Sequence, residues 1–233
     1  MPALPVLRDI DFTIRRGSSL GVIGESGSGK STLARVIAGL LPAARGQVML
    51  DGASLPPALA QRTPAQLAKK EPPDLILCDE VTSALDTIVG AAILDLMDGL
   101  RRELGLSTMF ISHDLHTVRS VCDEVMVLYA GERVEAGSRR AIQEAPWHPY
   151  TNLLISSVPE LRQGWLERRG SVRGPEAAAG ARPACAFFTR CGLAMPGLCD
   201  VTPPPRRTLA KGAEILCHRD EAALMQAAIP AGP

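Results

Sequence analysis

The stretch Gly24-Glu25-Ser26-Gly27-Ser28-Gly29-Lys30-Ser31 constrains this chain more than any other feature, because it fits G-x-x-x-x-G-K-S/T at every fixed position. The spacing has a chemical reason. Glycines let the backbone turn so that successive N–H groups point inward at an anion. A helix that starts directly after the loop adds its positive end to the same anion. Lys30 then reaches the outer phosphates of a nucleotide, and the Ser31 hydroxyl is placed to ligate Mg²⁺, with Thr32 beside it. The bland alternative is a glycine-rich turn that matches by accident. The flanks argue against it. Ser19–Gly24 is a short apolar strand, and Lys30–Leu41 carries Leu33, Val36, Ile37 and Leu40 at helical spacing.

The rest of the first 160 residues alternates strands with helices. Gln47–Leu50 reads as a strand ending at the turn pair Asp51-Gly52, and Asp74–Cys78 as a strand buried on both faces. Ile88–Leu104 reads as a helix whose stripe is Ile93, Met97, Leu100 and Leu104. Thr108–Ser112 and Glu124–Tyr129 are further strands. Such alternation predicts an α/β fold with a mostly parallel sheet, a P-loop NTPase core. Two strand ends carry chemistry. Asp79 closes an apolar run, where such proteins hold Mg²⁺, and Glu80 next to it is placed to polarise an attacking water. The alternative is a strand end capped by solvated acids. His113 follows Met109-Phe110-Ile111 and reaches the same sheet edge, although a lone histidine at a strand end is usually structural. Cys78 and Cys122 read as small buried apolar residues.

Composition narrows the classes. Over 233 residues, 25 Lys and Arg balance 25 Asp and Glu, which argues against a nucleic-acid binder that works by bulk positive charge. No apolar run reaches the ~18–20 residues a membrane helix needs. Arg8, Asp9 and Asp11 interrupt the first residues, so they do not read as a signal peptide. The expected location is cytoplasmic, or peripheral on a membrane through a partner.

Proline gathers towards the C-terminus, and Gln163–Arg182 lacks periodicity and reads as a linker. The expected organisation is a nucleotide-binding domain over 1–160 and a cysteine-rich extension over 161–233. Four of the six cysteines, Cys185, Cys191, Cys199 and Cys217, lie in that extension. In a reducing compartment this grouping suggests a metal or cluster rather than disulfides. The spacings are not the paired C-x2-C of a zinc ribbon. Four thiolates suit a 4Fe-4S cluster, with Zn²⁺ on four sulfurs as the alternative and free thiols in a loosely ordered tail as the bland reading. His218 beside Cys217 is of a type that could serve as a ligand, and it reads as a solvated neighbour.

Residues 17–43 and 72–159 resemble the nucleotide-binding subunit of an ABC transporter. The marks are GESGSGKST, the Asp79-Glu80 strand end, Ser83-Ala84-Leu85-Asp86 as D-loop and Ile111-Ser112-His113-Asp114 as H-loop. The tetrapeptide His148-Pro149-Tyr150-Thr151, followed by Leu153-Leu154 and Pro159, is similar to the opening of the C-terminal extension in the oligopeptide/dipeptide/nickel importer branch. The resemblance implies ATP and Mg²⁺ held by Gly24, Glu25, Ser26, Gly27, Ser28, Gly29, Lys30, Ser31, Thr32 and Asp79. It implies Glu80 as catalytic base, His113 as γ-phosphate contact and Asp86 at a subunit interface. Some members with a similar tail carry a 4Fe-4S cluster on cysteines that match these one by one.

The implied partners are a second ABC ATPase subunit, permease subunits in the membrane and, indirectly, an extracytoplasmic substrate-binding protein. The implied location is the inner face of the cell membrane. Within the family the pore belongs to other subunits, so nothing here specifies dipeptide, oligopeptide, nickel or glutathione. Three departures stand out. Between 43 and 72 there is no room for the Q-loop, the helical subdomain and the LSGGQ signature, and no Gly-Gly pair occurs anywhere. The adenine-stacking aromatic has no counterpart, and Val81 replaces the usual proline. A homodimer would then lack half of each site, which favours a heterodimer. The competing readings are a degraded or non-hydrolysing subunit active only in a heteromer, and an iron–sulfur or zinc module with a vestigial P-loop.

Overall fold

The computed structural model describes residues 5–63, 73–81, 86–157 and 183–228. The elements are β1 (Ser19–Ile23), α1 (Lys30–Ile37), β2 (Val48–Leu50), β3 (Ala53–Leu55), β4 (Leu75–Asp79), α2 (Thr87–Leu104), β5 (Ser107–Ser112), α3 (Leu115–Val121), β6 (Glu124–Tyr129), β7 (Glu132–Ser138), α4 (Arg139–Gln143), α5 (Pro149–Ser156), β8 (Arg206–Thr208), β9 (Glu214–Leu216) and α6 (Glu221–Gln226). A seven-stranded sheet runs β4-β5-β1-β6-β7-β9-β8. Its first four strands are parallel and its last three join antiparallel.

Strand parity sorts the core into two layers. Leu20 and Val22 of β1, Met109 and Ile111 of β5, and Met126 and Leu128 of β6 face α1 residues Leu33 and Ala34, with Leu7, Ile10, Phe12 and Ile14 alongside. The alternate residues Ile23, Phe110, Val125 and Val127 face Val118 of α3, Cys122 just after it and Leu94 of α2. Each such side chain contributes about 1.5–3 kcal/mol by leaving water. Cys78 and Cys122 sit in this core, as their apolar neighbours suggested, and burial pushes their thiols up to about 11 and about 12.

Several expectations need correction. Helix α1 ends at Ile37 rather than Leu41, because Gly39 at φ 76 takes the left-handed turn and the Leu40 N–H returns to the Arg35 carbonyl. Strand β4 is not buried on both faces: among the described residues it is the last strand of the sheet, and within it only Cys78 is fully enclosed. The α2 stripe is rotated. Gly90, Leu94 and Arg101 face inward with Met97 beside them, while Leu100 and Leu104 are 42% and 46% exposed. The Arg101 guanidinium causes the rotation, since it bonds the Gly17 carbonyl, Asp98 and Asp123 and so takes a core-facing position. Strands β7, β8 and β9 were not foreseen, because β7 and β8 are mostly polar and β8 and β9, at three residues each, are too short to show a strand period. The Asp51-Gly52 turn is present, with both residues at positive φ (50 and 77), but its hairpin β2–β3 forms a sheet of its own. The linker over 163–182, Pro159 and residues 83–85 lie outside the described residues.

Candidate functional site

Three loops meet at the C-terminal ends of adjacent parallel strands. The glycine loop leaves β1, Glu80 follows β4, and His113 follows β5. Gly29 is the N-cap of α1 at φ 104. A Cβ on Gly24 would stand 2.2 Å from the Leu128 carbonyl oxygen, so the loop can lie against β6 only with hydrogen at that position. The tip of the β6–β7 hairpin braces the loop from the same side, the Gly131 N–H donating to the Ser28 carbonyl at 3.0 Å.

Lys30 is buried, and its Nζ donates to the carbonyls of Gly24 (2.7 Å) and Glu25 (3.0 Å), spanning the loop it closes. Burial lowers the lysine pKa, and the nearby charges of Glu80 and Asp79 oppose that shift. The Ser28 hydroxyl is buried with no hydrogen-bond partner among the described residues, a polar atom left at the loop. Ser31 is exposed and Thr32 half-buried at the first turn of α1. Glu80 has φ 51, a left-handed conformation rare for a residue of its kind, held by its N–H donating to the Ile111 carbonyl at 2.9 Å. That turn brings Glu80 Oε1 to 3.5 Å from His113 Nδ1. Asp86 caps α2, accepting from the Ile88 and Val89 amides.

The tetrapeptide His148–Thr151 has a structural role that sequence reasoning missed. His148 Nδ1 accepts from the Tyr150 amide at 3.1 Å and caps α5, and its own N–H donates to the buried Glu135 at 2.9 Å. Burial pulls the His148 pKa down to about 3, so the ring stays neutral and keeps its acceptor. The Tyr150 hydroxyl accepts from the Glu25 N–H at 2.8 Å and so reaches the glycine loop. Glu25 also meets Arg190 of the extension in a fork, at 2.7 and 2.8 Å. No local signal marks either contact. The one available clue was an unexplained tyrosine in a motif noted only for its family likeness.

Cys185, Cys191, Cys199 and Cys217 line one cavity, together with apolar Phe187, Phe188 and Leu193. Burial pushes Cys185 up to about 11 and Cys191 up to about 12. Among the described residues no three Cys, His, Asp or Glu side chains converge on a point that would hold a single metal ion. Zn²⁺ with sulfurs at ~2.3 Å thus does not fit the thiols as they stand. The same geometry gives no direct support to the expected 4Fe-4S cluster; what it offers is four thiol donors around one largely apolar cavity.

A glycine loop closed by a lysine at the end of a central parallel strand, beside an acidic strand end, is the arrangement of a P-loop NTPase core. A family model for ABC transporters matches residues 7–75, and one for the C-terminal region of oligopeptide/dipeptide transporters matches residues 134–199. A Brucella abortus protein named as a peptide import ATP-binding protein is 32% identical over 294 residues, covering 91% of this chain and 87% of the relative. An Escherichia coli protein named for D,D-dipeptide transport ATP binding is 32% identical over 283 residues, covering 91% and 89%. Both alignments are longer than this chain, so part of each relative has no counterpart in it. Among solved structures, cbiO1 of Clostridium perfringens, part of an ABC transporter complex, superposes with TM-score 0.52 at 18% identity, covering 59% of this chain and 84% of that one; it supports the fold. The chain belongs to the ATP-binding subunits of ABC transporters, in the oligopeptide/dipeptide branch.

Proposed function

We propose that the chain binds Mg-ATP and drives peptide import by hydrolysing it. Gly24 to Thr32 hold the phosphates, with Lys30 on the outer pair and Ser31 on the metal. Asp79 positions Mg²⁺, Glu80 draws a proton from the attacking water, and His113 contacts the γ-phosphate. One observation carries the reading: the glycine loop, Asp79, Glu80 and His113 stand at the C-terminal ends of the neighbouring strands β1, β4 and β5, with Glu80 Oε1 3.5 Å from His113 Nδ1. Import requires a second ATPase subunit and membrane permeases. Among the described residues no helix is long and apolar enough to cross a membrane, which is consistent with a peripheral subunit on the inner face.

The partner subunit is a full-length one. The relatives carry residues with no counterpart here, and the chain has no Gly-Gly pair from which a signature could be built. The partner's signature would complete the cage around the γ-phosphate bound by this loop. The division into a nucleotide-binding part, 1–160, and a cysteine-rich part, 161–233, belongs to the same reading, with a 4Fe-4S cluster on Cys185, Cys191, Cys199 and Cys217 in the second. Steady-state ATPase assays of the chain with a full-length paralogue test the first half. Turnover should exceed that of the same mixture with Lys30→Ala by at least ~100-fold, and equal rates would reject the enzyme. Iron and sulfide analysis after anaerobic purification tests the second half: about four irons per chain are expected, and an iron-free protein would reject the cluster.

A further inference from the structure

The contact between Glu25 and the cysteine-rich extension is unlike an ordinary surface pair. Arg190 closes the short 3₁₀ turn Phe188–Arg190, directly before Cys191. Its guanidinium lies over the Tyr129 ring at 5.6 Å and the Phe187 ring at 5.8 Å, and its two terminal nitrogens meet the two oxygens of Glu25 at 2.7 and 2.8 Å. The rings are themselves packed, with Tyr129 4.6 Å from Tyr150 and 5.1 Å from Phe187. A planar cation clamped on aromatic faces loses little further freedom when it forks onto a carboxylate. On the loop side Glu25 is held at three groups. Its carboxylate meets Arg190, its N–H donates to the Tyr150 hydroxyl, and its carbonyl accepts from Lys30. Two of those three ties come from residues after 148, and all three act on the first variable position of the phosphate loop.

We infer that Arg190 is a positioning residue for the nucleotide loop, so that the C-terminal extension completes the ATP site from behind. The guanidinium turns Glu25 away from the phosphates and fixes the backbone that leads into Gly27–Lys30. The N–H groups of that stretch are then ordered before the anion arrives, which removes an ordering cost from binding. A negative side chain in a phosphate loop would otherwise repel the ligand. Pairing with Arg190 offsets its charge and holds its pKa below the usual carboxylate range. This rests on the reading that the loop binds ATP.

The test uses the full chain and two measurements: amide hydrogen exchange across residues 24–31, and equilibrium binding of Mg-ATP. Arg190→Ala should speed exchange in the loop about tenfold and weaken ATP binding about five- to tenfold. Glu25→Gln removes the charge pair without removing bulk, and combining it with Arg190→Ala should add little beyond either single change. Arg190→Lys should recover part of the affinity, since it restores the charge but not the fork. Exchange that rises only around Phe187–Cys191, with the loop and ATP affinity unchanged in Arg190→Ala, would overturn the inference and leave Arg190 as a local brace of the tail. If the wild type binds ATP no better than Lys30→Ala, the nucleotide reading fails, and the loop exchange rates still decide whether Arg190 orders the loop.

Discussion

Glu80 shows how a single residue is set for its task. A glutamate at φ 51 is strained by about 1–3 kcal/mol, and the surroundings hold it there by tying its amide to Ile111. The consequence is a carboxylate beside His113 and within the field of Lys30. Glu80→Gln keeps shape and backbone but removes the carboxylate proposed as the base. With a full-length partner present it should lower turnover by a factor on the order of 10²–10⁴ while ATP affinity changes less than about twofold, as separate rate and binding measurements would show. Lys30, Asp79, Glu80 and His113 were open to proposal from sequence because each is marked by a local pattern: a loop motif or a polar residue ending an apolar run. Arg190 was not. It stands 165 positions from Glu25, and only folding brings the two together.

At the scale of elements, periodicity located strands and helices better than it located their faces. Strand β6 has the bounds that its apolar run indicated, Glu124–Tyr129, because alternate residues fill two apolar layers. The α2 face was misread because a buried arginine with three acceptors outcompetes two leucines for the sheet side. Close approach between elements is equally hidden in sequence. A Cβ on Gly21 would stand 1.9 Å from Val118 Cγ1, so β1 and α3 are packed to a distance that only glycine permits. Gly21→Ala should push α3 off the sheet and cost about 1–3 kcal/mol or more, read from a lower urea midpoint at unchanged slope. An unchanged midpoint would show that α3 shifts freely and that this contact does not limit packing.

At the scale of the whole molecule, the extension is part of the sheet and not an appendage. Strand β9 pairs with β7 at Glu135–Ile215 and Ala136–Glu214, and β8 pairs with β9 beyond it. Ile215, Phe187 and Leu224 are buried in the same cluster as the α3 and β6 residues. Ending the chain after residue 182 would open the β7 edge and remove those side chains. The shortened protein should lose more than about 3 kcal/mol or aggregate, as thermal unfolding and size-exclusion chromatography would reveal. Sequence by itself determined the phosphate loop, the alternating α/β order, the acidic strand end and the family likeness, since each depends on neighbours within a few residues and on backbone rules that hold in any context. Tertiary structure alone decided that β4 is an edge, that His148–Thr151 is a clasp, that four thiols share one cavity and that Arg190 reaches Glu25. Those outcomes depend on side chains far apart in the chain competing for the same buried space, and no local pattern records that competition.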